Sequence, residues 1–245
     1  MKKTFTTVII TMIICTSSLM AQKQLYFGLA GTGLSSTFTN QNNYGQEFEM
    51  DYKVTFGGSG NVNIGFDFSN HAGLKIEAGY SKLGQNYTDT YKDTVYTRDV
   101  QLNYMQLPLM FKFRTGGKAK FYVMAGPQFN FLLSAKQKYY KQGVIDTDSI
   151  YNPINNKKIK IGEETITDRY SSFDVMARLD LGVDILLGKN FFLNVGLTMA
   201  YGLLDINASS LRIPDHSSGI YHPSHNIYGG VNFGFNYVLP LGKKN

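Results

Sequence analysis

The sequence predicts an all-β protein: an eight-stranded antiparallel up-and-down transmembrane β-barrel with short periplasmic turns and long extracellular loops. Three observations carry that expectation. Apolar and polar residues alternate with period 2 over long stretches, the polar parity holds full charges, and the connections alternate between short and long. From Val54 to Phe68 one parity reads Val54, Phe56, Gly58, Gly60, Val62, Ile64, Phe66, Phe68, while the other holds no large apolar side chain. Ordinary strands run about 5–6 residues, so alternation sustained this far belongs to long strands rather than helices.

Composition frames the choice. The chain has 245 residues, 43% hydrophobic and 17% charged, with a mean hydropathy of −0.18. A bundle of membrane helices needs several runs of about 20 apolar residues, which this balance excludes, and the apolar content is too high for a disordered chain. Gly at 25, with Phe and Tyr at 17 each and Trp at 0, favours strands. Met1-Lys2-Lys3, the apolar run to Ile14 and the small residues up to Ala21 form a secretory signal peptide pattern, so residues 1–21 are expected to be removed and 22–245 to form the barrel domain. Removal leaves 22 basic against 18 acidic residues, lowering the charge from +6 to +4. That excess is too small to indicate nucleic acid. Cys15, the one cysteine, leaves with the signal, so no disulfide is available to the mature chain.

Eight segments carry the strand pattern, in order 24–36, 53–68, 72–84, 100–114, 120–133, 172–186, 191–204 and 225–240. In the third, Leu74, Ile76, Ala78 and Tyr80 oppose Gly73, Lys75, Glu77, Gly79 and Ser81. In the fifth, Phe121, Val123, Ala125, Pro127, Phe129, Phe131 and Leu133 oppose Tyr122, Met124, Gly126, Gln128, Asn130 and Leu132. The sixth sets Phe173, Val175, Ala177, Leu179, Leu181, Val183 and Ile185 against Asp174, Met176, Arg178, Asp180, Gly182 and Asp184. The eighth sets Val231, Phe233, Phe235 and Tyr237 against Gly230, Asn232, Gly234 and Asn236. Pro108 interrupts the fourth segment, where a residue without an amide donor marks a bulge or bend.

Connections separate a membrane barrel from a soluble one. Residues 69–71, 115–119 and 187–190 are tight turns, whereas 37–52, 85–99, 134–171 and 205–224 read as long loops. That segregation is the asymmetry of an outer-membrane barrel. The apolar parity then faces lipid, and the charged parity faces a lumen narrow enough to be filled by side chains. Lys75, Lys112 and Arg178 are expected to pair there with Glu77, Asp174 and Asp180, because an unpaired buried charge costs several kcal/mol. Phe66, Phe68, Phe111, Phe113, Phe121, Phe191 and Tyr237 would form one interfacial girdle, and Phe38, Tyr80, Phe173 and Tyr201 the other. Asn232, Gly234, Tyr237 and Leu239 have the spacing of a C-terminal assembly signal, which the barrel-assembly machinery would read.

Two stretches carry a family resemblance. Leu102-Asn103-Tyr104-Met105-Gln106-Leu107-Pro108-Leu109-Met110-Phe111-Lys112-Phe113 and Phe121-Tyr122-Val123-Met124-Ala125-Gly126-Pro127-Gln128, with Leu132-Leu133, resemble the Bacteroidetes outer-membrane β-barrel (PorT-like) family. Phe173-Asp174 through Leu181-Gly182-Val183-Asp184, and Tyr201-Gly202-Leu203-Leu204-Asp205-Ile206, extend the resemblance over the mature chain. It implies an outer-membrane location and, through the family's namesake, an accessory role in type IX secretion. The function expected is therefore non-enzymatic, with no cofactor, acting through the extracellular loops. Expected partners are outer-membrane lipid, secretion-system proteins or lipopolysaccharide, and no nucleic acid.

Other chemistry is less well supported by residue type. His216, His222 and His225 share the last long loop with Asp215, but no fixed geometry orients the imidazoles for a metal. The alternative function is a rim enzyme acting on lipid, with His225, Ser172 and Asp205 at similar height and His71 on the wrong side. Loop 134–171 holds Lys136, Lys138, Lys141, Lys157, Lys158, Lys160 and Arg169 against Asp146, Asp148, Glu163, Glu164 and Asp168, with Tyr139, Tyr140, Tyr151 and Tyr170. It reads as a solvated loop or an extension of its strands into a hairpin, and its cations and phenols suit phosphate or a protein partner.

Overall fold

The computed structural model describes residues 23–39, 51–91, 94–117, 119–143, 158–212, 214 and 219–240. The expected signal peptide lies outside these residues. Ten strands form: β1 (Gln24–Thr39), β2 (Asp51–Lys53), β3 (Thr55–Asp67), β4 (Ala72–Tyr91), β5 (Thr94–Arg114), β6 (Ala119–Gly143), β7 (Ile159–Thr165), β8 (Phe173–Leu186), β9 (Phe191–Gly202) and β10 (His225–Pro240). Eight of them close a ring in the order β1, β3, β4, β5, β6, β8, β9, β10, every pair antiparallel. The ends meet because β1 pairs with β10 from Gln24 against Pro240 to Thr39 against His225. Closure satisfies the backbone of every strand internally, the condition for β-structure in lipid. Turns at 68–71, 115–117 and 187–190 lie at the end where Gln24 and Pro240 meet, the periplasmic end.

Alternation produces the two faces. Leu29, Val62, Ile64, Ile76, Phe121, Leu181, Leu197 and Phe233 are exposed on the outside, and their neighbours Asn61, Asn63, Lys75, Glu77, Tyr122, Asp180, Thr198 and Asn232 are buried inside. Glycines let large rings lie across the lumen: a Cβ on Gly65 would fall 2.0 Å from the Tyr26 ring, and one on Gly182 2.5 Å from the Tyr122 hydroxyl. The periplasmic girdle includes stacked Phe191 and Phe235 at 5.4 Å, with Phe191 and Phe27 each against Tyr237. On the extracellular side Tyr80, Phe173 and Tyr201 are exposed, but Phe38 is not. It turns inward and packs near Tyr170 at 6.3 Å between ring centroids, so it belongs to the core and not to a girdle.

Two sequence expectations are corrected. Residues 85–99 are not a loop, because β4 and β5 continue pairing up to Tyr91 against Thr94. That segment is Thr- and Tyr-rich, good strand composition without apolar alternation. Pro108 shifts no register: pairing with β6 passes through Pro108 against Gln128 in step, and on the β4 side it lapses opposite Glu77 and Ala78. The bulge lies instead where Tyr104 pairs with Leu132 and Asn103 with Ser134, making Leu133 an extra residue in β6. For 134–171 the described residues follow the hairpin reading. β6 continues to Gly143 and β7 returns along it, while residues 144–157 lie outside the described ones.

Candidate functional site

The buried side chains of the lumen form three levels. Near the periplasmic end Arg114 pairs with Asp67 at 2.8 Å, and Lys112 pairs with Asp184, which also accepts from Asn194. The Lys112 ammonium lies 5.1–5.5 Å from the ring centroids of Tyr122, Phe192 and Tyr26, so cation–π contact replaces part of its hydration. At the middle level Lys75 lies 2.6 Å from Glu77, and Arg178 bridges Glu77 at 3.1 Å and Asp180 at 2.8 Å. Arg178 also donates Nε to Asp180, giving a two-pronged contact, while Asn61 and Thr198 supply further donors. At the upper level Tyr228 donates to Gln128, Gln128 to Asn130, and Asn226 to Asp174 at 2.9 Å.

Of the residues expected to pair, Lys75, Glu77, Arg178 and Asp180 come together, whereas Lys112 and Asp174 do not join them. Register explains the separation. Asp174 is level with Asn130 and hence with Gln106 on β5, and Lys112 is about 20 Å further down that strand at ~3.4 Å per residue. Lys112 meets Asp184 instead, and Asp174 has no cationic partner among the described residues. Asp67, Asp184 and the amides were legible as polar-parity residues; Arg114, at a strand end beside a turn, carried no such signal.

Above these levels the lumen becomes apolar. Leu34, Leu83, Tyr87, Val100, Leu102, Tyr104 and Ala135 line it from the strands, and Met176 and Ala200 join the cluster from the upper and middle levels of β8 and β9. Ile166 and Ile206, each 1% exposed, enter from the connections that follow β7 and β9. Those connections are tied down by the amide of Ile166 to Ala135, that of Ser171 to Ile206 and that of Ala208 to Arg169. An apolar plug thus closes the extracellular mouth.

Outside the mouth, β2, β4, β5, β6 and β7 continue as one sheet. Register and burial place Lys82, Asn103, Gln101, Asp99, Lys136, Lys138, Glu163 and Lys160 on its outward face, directly above the lipid-facing Tyr80, Met105 and Leu133. Lys136 and Lys160 both reach Glu163, and the Lys160 ammonium holds the Glu163 carboxyl below its usual range. Lys138 donates to Gln101, which donates to Asp99, and Lys82 makes no ion pair among the described residues.

The loop candidates do not assemble. His216 and Asp215 lie outside the described residues. His225 places Nδ1 2.9 Å from the Leu204 carbonyl and its ring on Tyr201 at 5.5 Å. Asp205 accepts from the Tyr221 hydroxyl at 2.6 Å and pairs with Arg212 at 2.9 Å, so it staples the last loop instead of orienting His225. Ser172 makes its backbone contact with Leu132, and His71 sits in a periplasmic turn beside Arg114. Among the described residues, His222 included, no three His, Cys, Asp or Glu gather as a metal-binding set. Gly234 faces the lumen, while Tyr237 and Leu239 face outward at the periplasmic end of β10.

Residues 20–208 match the family model described as an outer membrane protein beta-barrel domain. Among curated proteins, none matches this chain in sequence. Solved structures similar to it include OprG from Pseudomonas aeruginosa, at 12% identity, covering 89% of this chain and 96% of that one with a TM-score of 0.43. Ail, the attachment invasion locus protein of Yersinia pestis, covers 90% and 100% at 12% identity and 0.41. Neisserial surface protein A covers 87% and 96% at 11% identity and 0.42. The family match spans most of the chain, including every strand of the closed ring except β10, and the chain therefore belongs to the outer membrane protein beta-barrel domain family and resides in the outer membrane.

Proposed function

We propose that this protein is a non-enzymatic interaction component whose working surface is the extracellular sheet. The observation that carries the reading is the filled lumen: ion pairs below and the apolar plug above leave the outward sheet as the part able to meet a partner. Its lysine row stands just beyond the lipid-facing belt, where anionic groups of lipopolysaccharide or of a secretion-system protein come within reach. The PorT-like resemblance directs the second possibility toward an accessory role in type IX secretion. During biogenesis Gly234, Tyr237 and Leu239 serve as the recognition signal for the barrel-assembly machinery. The test complements a deletion strain with the wild type or with a chain carrying Lys82→Gln, Lys136→Gln and Lys138→Gln. The variant is expected to keep heat-modifiable gel mobility, the mark of an assembled barrel, yet to fail in restoring secreted cargo or surface properties. A deletion strain with unchanged secretion and surface would remove the proposal.

A further inference from the structure

Eight buried ionised side chains of the lumen stand in ion pairs: Lys75, Glu77, Arg178 and Asp180 in one group, and Lys112, Arg114, Asp67 and Asp184 in the other. Asp174 is 1% exposed and has no such pair among the described residues. Two further cations face inward: Lys120 is half-buried and lies level with Asp184 at the opposite end, and Arg98 stacks on the Tyr87 ring at 4.4 Å within the apolar region. His225, next to Asn226 in sequence, is half-buried near Asp174, but its Nδ1 is occupied with the Leu204 carbonyl and it makes no ion pair with Asp174. A carboxylate sequestered without a countercharge costs several kcal/mol, so its surroundings ought to supply one.

Those surroundings are rich in oxygen. Asn130 lies directly across from Asp174, and Asn226 reaches it from β10. Both asparagines are fully buried; the Asn130 side chain and the Val175 amide lie against the Asp174 carboxylate, yet Asp174 Oδ1, Asn226 Oδ1 and Asn130 Nδ2 make no well-aligned hydrogen bond among the described residues. The Asn130 Oδ1 accepts from Gln128, and the Tyr104 hydroxyl lies 3.3 Å from Asn226 Nδ2. Between β8 and β10, β9 contributes Gly202, so no side chain separates Asp174 from Asn226. A Cβ there would fall 3.1 Å and 3.2 Å from the Asn226 backbone nitrogen and oxygen and 3.6 Å from Asp174 Oδ1, so glycine keeps this approach to β10 open. Hard cations take oxygen ligands of this kind, and a single carboxylate among neutral groups matches a single positive charge. An amide rotation exchanging Asn226 nitrogen and oxygen would bring a second oxygen toward the same point.

We propose that Asp174, Asn226 and Asn130 form a binding site for a monovalent cation of sodium size, held beneath the apolar plug. The site is independent of the extracellular reading. Its test is urea unfolding of the full barrel refolded in detergent, with Na⁺ exchanged for K⁺ or N-methyl-D-glucamine at constant ionic strength. One bound ion makes the unfolding constant fall about tenfold for each tenfold rise in Na⁺ above its dissociation constant. K⁺ should act more weakly and N-methyl-D-glucamine not at all. Asp174→Asn should abolish the dependence, whereas Asp180→Asn, in the paired network, should retain it. A wild type indifferent to the exchange overturns the proposal, even if Asp174→Asn fails to assemble. So does an Asp174→Asn variant with the wild-type dependence. Stability that follows pH but ignores Na⁺ would assign Asp174 a proton in place of the ion, which equally overturns the site.

Discussion

Around Glu77, Arg178 and Asp180 the barrel interior is closed by ion pairs, and around Leu102, Ile166 and Ile206 it is closed by apolar side chains, within the same wall of eight strands. The wall demands only that its outer parity be apolar; the inner parity is free to follow what else occupies the lumen. Below, among the described residues, only strand side chains enter, and each charge needs a partner at hydrogen-bond distance. Above, connecting segments enter the mouth, and their isoleucines are accommodated by collective packing. Pairwise and collective filling differ in how they fail.

The largest effect should come from breaking the pairwise half. Arg178→Met strips Glu77 and Asp180 of their shared cation and should cost about 3–5 kcal/mol, the range for removing one partner of a buried pair. Urea unfolding in detergent measures it, and a change below about 1 kcal/mol would mean that water already screens this level. Truncating the collective half should cost less: Ile166→Ala at about 2 kcal/mol, the low end for a buried large-to-small change, since the connecting segment can settle into the space. The same unfolding assay compares the two, and an Ile166→Ala cost above that of Arg178→Met would invert the distinction. The smallest effect is expected in the outer sheet, where neither kind of filling operates. The Glu163 carboxyl is held low by Lys160, so its contribution is present above the ordinary carboxylate value and is lost as pH falls below it. Amide exchange of β7 should therefore speed up modestly between about pH 7 and pH 3, beyond the intrinsic pH dependence, while the ring amides stay protected.

Period 2 made the ring legible because lipid outside and side-chain packing inside impose opposite chemistry on adjacent residues. The pattern located all eight ring strands and the polar parity of Lys75, Glu77, Arg178 and Asp180. It failed where those two environments end. Residues 85–91 and 94–99 remain strand with water on one side, so Thr and Tyr replace the apolar parity and the segment reads as a loop. Phe38 keeps an aromatic character suited to a girdle, yet the plug formed by distant Ile166 and Tyr170 draws it inward. Charge partners depend on register between strands far apart in sequence, such as Lys112 and Asp184, and no local pattern encodes that.

The extra residue at Leu133 has a consequence for reading frame in space. Below it, odd-numbered residues of β6 such as Phe129 and Phe131 point away from the lumen; above it, Ala135 and Gln137 point in and Lys136 and Lys138 point out. Deleting Leu133 would leave Leu132 against Tyr104 and Ser134 against Asn103 in a regular ladder with both lysines still outward, whereas keeping Leu133 but losing the bulge would drive both ammonium groups among Leu102 and Tyr104 and turn Ala135 and Gln137 toward water. One residue thus acts as a phase shifter at the membrane boundary, letting a continuous strand obey lipid on one side of it and water on the other.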